Sequence, residues 1–244
     1  MSIAFEELAR EQTTAGTITL RRRRELVLDV DVYEVKLDDE FLMSSLFTVA
    51  EIELARLGLA AAGGTELDVV VGGLGLGYTA RAALEVPGVR SLLVVEAVAE
   101  VIGWHERGLL PDTAGLADDP RTTLVHDDFF TRAASEHGFD PDAPARRFDV
   151  ALVDIDHTPH HHLHPSHALF YTADGLRSLA RHLQPHGVFA LWSDASPDDD
   201  FLALLRLAFA TADARVVTFP NFQTGGESTN TIYLAQHPRT AGPA

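Results

Sequence analysis

The chain has 244 residues and no cysteine, with 19 basic against 36 acidic side chains and a net charge of −17. The missing thiols exclude disulfides, thiolate metal sites and a cysteine nucleophile, and with the polar first twelve residues, unlike a secretory signal, they point to a cytoplasmic protein. The acidic surface repels nucleic acid and anionic membranes, and no apolar run reaches the roughly 20 residues that span a bilayer; such a surface gathers small cations, though acidity also serves solubility alone.

Residues 1–45 read as a small β unit. Thr17–Arg21, Leu26–Val30 and Val32–Leu37 alternate apolar and polar residues, as half-buried strands do, and Asp38-Asp39 reads as a turn. The run Arg21–Arg24 offers an anion site or, more simply, a solvated strand. From Phe47 the period becomes helical through Ala50, Leu54 and Leu57, with a stop near Gly63-Gly64.

A strand–helix rhythm follows. Strands are predicted at Leu67–Gly72, Ser91–Glu96, Thr122–His126, Phe148–Asp154 and Gly187–Trp192. Helices are predicted at Tyr78–Leu84, through Val101 and Trp104, and through Leu169, Leu176, Leu179 and Leu183. Ser196-Pro197 followed by acids predicts a capped helix carrying Phe201, Leu204, Leu205 and Phe209. Two late strands, Arg215–Phe219 and Thr231–Ala235, precede a tail read as flexible over 237–244, so that 46–236 form the main domain. Alternation of this kind implies an α/β fold with a mostly parallel sheet covered on both faces, and a ligand beyond the carboxyl ends of the strands.

Those strand ends carry the chemistry. Gly72-Gly73-Leu74-Gly75-Leu76-Gly77 follows a strand and opens a helix, so its backbone can approach a nucleoside ligand. Glu96, at the next strand end, suits two ribose hydroxyls or else braces the loop. Asp127 and Asp128 suit an adenine amine, or cap the following helix; Phe129 could cover the ring. Asp154 lies where a reacting group belongs, as a cation holder and general base, with Asp156 two residues on; one of the two could instead brace the loop. The histidine-rich segment His157, His160, His161, His162, His164 and His167 reads as a mobile lid rather than a metal site. Phe219–Gln223 and Ser228–Asn230 line an acceptor pocket or build a hairpin.

The order and spacing of several of these pieces resemble the spermidine synthase family of polyamine aminopropyltransferases. They are the N-terminal β unit, the turn Gly72–Gly77, Val94-Val95-Glu96, Asp118-Asp-Pro-Arg leading to Val125-His-Asp-Asp128, Phe148–Asp154, and Leu169-Phe-Tyr with Leu183-Gln-Pro-His-Gly-Val. The resemblance implies a seven-stranded, Rossmann-like methyltransferase sheet with an N-terminal β domain. It implies transfer of an aminopropyl group from decarboxylated S-adenosylmethionine to a small cationic amine. Glu96 then matches the ribose-binding acid, Asp128 the adenine-binding acid, Asp154 the catalytic acid, and 157–165 the gatekeeping loop. Glu51 is the one counterpart of the family's Tyr-His-Glu trio. Two positions depart from the family: Gly75 stands where an aspartate grips the aminopropyl amine, and Asp-Ser-Ser-Asp-Pro has become Asp154-Ile-Asp-His-Thr. The glycine at 75 keeps methyl transfer from intact S-adenosylmethionine in play, beside a non-catalytic adenosyl-binding protein and, more remotely, a dinucleotide dehydrogenase. The expected partners are the amine and a second copy of the chain.

Overall fold

The computed structural model describes residues 5–13, 16–222 and 224–239. Strands β1 (Phe5–Thr13), β2 (Gly16–Glu25), β3 (Val30–Leu37) and β4 (Glu40–Ser44) form an antiparallel sheet in chain order. The strand expected over Leu26–Val30 is mostly a turn: Leu26–Asp29 connect β2 to β3, Asp29 has φ 53°, and Leu26 and Val27 are exposed. In its place β2 runs on through all four arginines, each held by a carboxylate. Arg21 and Arg23 pair with Glu34 of the neighbouring strand at 3.1 and 2.7 Å, Arg22 with Glu6 at 2.7 Å and Arg24 with Asp31 at 3.1 Å. Their charge is used inside the sheet, so the run is no anion site. Strand β1 escaped the sequence pattern because charged residues dominate it and none of them is fully buried.

The second sheet has the order β10-β11-β9-β8-β5-β6-β7. It is built from β5 (Leu67–Gly72), β6 (Val89–Glu96), β7 (Thr122–His126), β8 (Phe148–Val153), β9 (Leu183–Ser193), β10 (Phe209–Asn221) and β11 (Gly226–Pro238). Strands β5 to β9 are parallel; β11 runs antiparallel to β9 and β10 antiparallel to β11. Helices α1 (Val49–Ala62), α2 (Tyr78–Leu84), α3 (Ala99–Glu106), α4 (Phe129–Ala134), α5 (Ala173–Ala180) and α6 (Asp199–Ala208) cover the two faces. One core contains Leu54, Val69, Val71 and Trp104, and the other Phe129, Phe139, Phe148 and Phe189. This is the expected α/β architecture, with β5 central and its neighbours β6 and β8 leaving it on opposite sides.

Four local expectations change. Helix α5 begins after Thr172, whose hydroxyl accepts the Gly175 N–H at 3.1 Å, so Leu169 lies exposed in a short 3-10 turn and Leu183 opens β9. Helix α6 starts two residues later than expected, because Asp198 rather than Ser196 accepts the N–H groups of Asp200 and Phe201, at 2.8 and 3.2 Å. Phe209 leaves that helix and opens β10. Strand β11 continues to Pro238 and Arg239 donates to the carbonyls of Arg206 and Phe209, so 237–239 pack against the fold rather than forming a tail; 240–244 lie outside the described residues.

The N-terminal sheet is fastened to the second. Ile18, Leu20, Tyr33 and Val35 share the core of Trp104. Glu11 accepts the Trp104 indole N–H and an Arg107 N–H, both at 2.9 Å. Among the described residues no helix is long and apolar enough to cross a membrane.

Candidate active site

Beyond the carboxyl ends of β5, β6 and β8 lies a cavity of two adjoining lobes. One, of about 140 Å³, is walled by Gly73, Val95, Glu96, Asp128 and Phe129 and roofed by Ile18 and Val35 of the N-terminal sheet. The other, of about 110 Å³, is lined by Glu51, Tyr78, Thr79, His157 and Trp192. Met43, Gly75, Asp154, Ile155 and Leu163 border both.

The glycine turn is compact because its positions 73, 75 and 77 have positive φ, at 89°, 49° and 88°. A side chain at Gly73 would collide with the carbonyl of Asp154, which the turn abuts. At Gly75 a Cβ would stand 2.7 Å from Met43 Sδ, so a methionine of β4 fills the space beside the turn. Gly72 ends β5, and its carbonyl accepts the Asp154 N–H at 3.0 Å, tying the turn to the end of β8. The Gly75 carbonyl lies 2.9 Å from His105 Nε2 and the Leu76 carbonyl accepts the Thr113 hydroxyl at 2.9 Å, so the turn is held from behind as well.

Glu96 is buried and braces this turn. Its Oε2 accepts the Leu74 N–H at 2.8 Å and, more weakly, that of Gly75 at 3.5 Å, while Oε1 accepts the Val98 N–H at 2.8 Å. Burial pushes its pKa up against the pull of these amides. The bracing and ribose readings are compatible, since the residue still borders the cavity and its contact with the Gly75 N–H is long enough to give way to a ligand donor. Asp128 borders the same lobe and caps α4, accepting the Thr131 N–H at 2.6 Å. Asp127 does not line either lobe: its carboxylate receives the Arg132 Nε–H at 2.6 Å and the Asp128 N–H at 2.8 Å. Phe129 packs into the core, stacked on Phe139 at 4.8 Å, while still bordering the lobe.

Asp154 stands at the junction of the lobes, and its Oδ2 accepts the Thr79 hydroxyl at 2.9 Å. Burial raises its pKa to about 6, against the stabilising hydrogen bond from Thr79. Glu51, from the first turn of α1, faces the same space; burial and then the charge of Asp154 raise its pKa to about 8. Near pH 7 the pair therefore holds about one proton between its two members.

Asp156 does not join them. It is 1% exposed, and its oxygens accept the Leu163 N–H at 2.7 Å and the Tyr171 hydroxyl at 3.0 Å, and lie 2.8 and 3.1 Å from His167 Nδ1. The extended backbone that would have aimed it beside Asp154 ends with β8 and bends at Asp156-His157, where the second carboxylate meets the histidine loop. The loop's imidazoles diverge: His160 pairs with Asp198, His162 stacks on Tyr171 at 4.8 Å, and His164 Nδ1 meets the Ser166 hydroxyl at 2.7 Å. Only His157, Leu163 and His167 reach the lobes.

Sequence reasoning did not find Thr79, Met43 or Trp192. Trp192 was within reach of it, since it lies at the end of a parallel strand, and its buried indole N–H has no hydrogen-bond partner among the described residues, beside the second lobe. Phe219–Phe222, Ser228, Thr229 and Asn230 build the β10–β11 hairpin and line neither lobe; Gln223 lies outside the described residues.

No family model matches the chain. Over 89 residues, 36% of the chain, it is 38% identical to a polyamine aminopropyltransferase of Corynebacterium efficiens, and the match covers 15% of that relative. Among solved structures it is similar to spermidine synthase from Thermotoga maritima and to spermidine synthase in complex with the transition state analogue AdoDATO. Each gives a TM-score of 0.69 at 18% identity and covers 95% of this chain and 72% of the other. The fold is thus a methyltransferase-like α/β arrangement with an N-terminal β-sheet over the cavity. Within that class its fold is similar to that of spermidine synthase.

Proposed function

We propose that the chain is a transferase that moves an aminopropyl group from decarboxylated S-adenosylmethionine to a small cationic amine. The observation that carries this reading is the Asp154–Glu51 pair at the junction of two lobes, one of which abuts the glycine turn. The nucleoside half of the donor belongs in the lobe of Gly73, Glu96 and Asp128, and the amine in the lobe of Glu51, Tyr78 and Trp192. Two buried carboxylates sharing about one proton attract an ammonium group, and Asp154 with a pKa near 6 can take the proton that frees its lone pair. The amine nitrogen then bonds to the carbon beside the sulfonium as the carbon–sulfur bond breaks and a neutral thioether leaves; the chain's task is alignment and dry surroundings. Gly72, Gly73, Gly75 and Gly77 belong to the donor side, Asp156 and Asp127 to the support of loop and helix.

The polyamine aminopropyltransferase and spermidine synthase likenesses favour aminopropyl over methyl transfer. Gly75, backed by Met43, implies that the donor's amine is held by the pair itself rather than by a turn aspartate. A homodimer and a cytoplasmic location complete the reading; light scattering checks the former.

The test is turnover with decarboxylated S-adenosylmethionine and a diamine. Asp154→Asn is expected to lower kcat by about 10²–10⁴-fold, the range for a lost general base, while donor affinity changes less than about threefold. Full activity in that variant, or transfer only from intact S-adenosylmethionine, would overturn the proposal.

A further inference from the structure

The amino-terminal edge of the large sheet, opposite the cavity, carries a second concavity. It is a groove of about 650 Å³, within the roughly 300–1,000 Å³ of small-molecule sites. Four arginines line it from four places in the chain: Arg147 just before β8, Arg177 in α5, Arg181 just after α5 and Arg239 just after β11. In a chain of net charge −17, such convergence of positive charge is out of keeping with the rest of the surface.

The contrast with the other arginines sharpens the point. Arg21–Arg24, Arg121, Arg132 and Arg146 are all engaged by carboxylates. In the groove only Arg177 has one, Asp174 at 2.7 Å. Arg239 donates to two backbone carbonyls and keeps its charge unmatched. Arg147 and Arg181 make no ion pair and no side-chain hydrogen bond among the described residues. Both line the same groove as Arg177 and Arg239. Like charges held together without a counter-charge are unfavourable unless an anion binds between them. Besides Asp174 and Ser178, the rest of the wall is apolar, with Leu183, Pro185, Leu207 and Pro238.

We infer that this groove binds a small oligophosphate, with the phosphates on Arg147, Arg181 and Arg239. Planar guanidinium groups suit phosphate oxygens in pairs, and the site takes a compact anion because the acidic remainder of the surface repels a long one. The ligand is either an inorganic oligophosphate or the phosphate tail of a nucleotide, whose base would lie on the proline and leucine wall. The inference stands apart from the transferase reading, since no residue of the groove borders the cavity.

The test is calorimetric titration of the full chain with inorganic pyrophosphate, ADP and adenosine at about 50 mM salt. Pyrophosphate has no adenosyl part, so its binding reports the groove rather than the cavity. Binding weakened at least tenfold in Arg147→Ala/Arg181→Ala, and unchanged in Arg56→Ala elsewhere on the surface, is the expected result. ADP tighter than pyrophosphate, with the excess lost in the same double variant and not displaced by adenosine, identifies a nucleotide, and equal affinity an inorganic anion; either keeps the site. No pyrophosphate binding at millimolar concentration, or binding undiminished in a double variant with an unchanged Tm, overturns it.

Discussion

Asp154 and Glu51 share one cavity but enter it from different directions, one from the end of β8 and the other from the first turn of α1. Their pKa values, about 6 and about 8, lie above those of free carboxyls. The fold therefore favours the protonated forms: this contribution is complete below about pH 4 and is lost as pH rises through 6 and then 8. Glu51→Gln removes the second loss. Its unfolding free energy is expected to match that of the wild type near pH 4 and to exceed it at pH 9, by a margin on the order of a few kcal/mol, with a correspondingly higher Tm. A Tm–pH curve parallel to the wild type's would contradict the coupling. Asp154 was legible from the strand-end rule and Glu96 from its distance past the glycine turn. The partnership with Thr79 was not, because a contact between residues so far apart in the chain leaves no local pattern.

The histidine-rich loop has the opposite logic. Its order rests on one carboxylate, Asp156, which gathers the Leu163 amide, His167 and the Tyr171 hydroxyl beneath it. Asp156→Asn leaves a poorer acceptor at a 1% exposed site and is expected to cost about 2–4 kcal/mol of stability. Activity per folded molecule should stay within a few-fold; thermal denaturation beside an assay separates the two effects. If kcat falls as it does for Asp154→Asn with Tm unchanged, Asp156 is a catalytic group after all. Elements that run from one glycine, proline or acidic turn signal to the next, such as β5, α2 and β7, were legible nearly to the residue. Where polar residues set the boundary, as at β1, at the turn Leu26–Asp29 and at the cap Asp198, several side chains compete for the same backbone groups and the sequence alone does not rank them.

Across the whole molecule, the N-terminal sheet is part of the site, because Ile18, Val35, Leu42 and Met43 form its roof. That roof hangs partly on Glu11, which receives N–H groups from both Trp104 and Arg107. Glu11→Ala strands a buried indole N–H and is expected to lower stability by about 1–3 kcal/mol. It is also expected to weaken donor binding several-fold by loosening the roof; calorimetry with the donor checks this, and unchanged affinity would mean that the sheet holds without it. The two-sheet plan followed from the switch between alternating and helical periods, whereas the packing of one sheet on the other had no sequence signature. Strand order also sets the order of assembly. The four N-terminal strands pair only with their chain neighbours and can close as soon as they leave the ribosome. Central β5 must wait for β8, whose Asp149 carboxylate caps the Asp68 amide from 81 residues away. Until then one edge of an almost wholly apolar strand is bare, so the nascent chain passes through an aggregation-prone stage that ends only when its C-terminal half arrives.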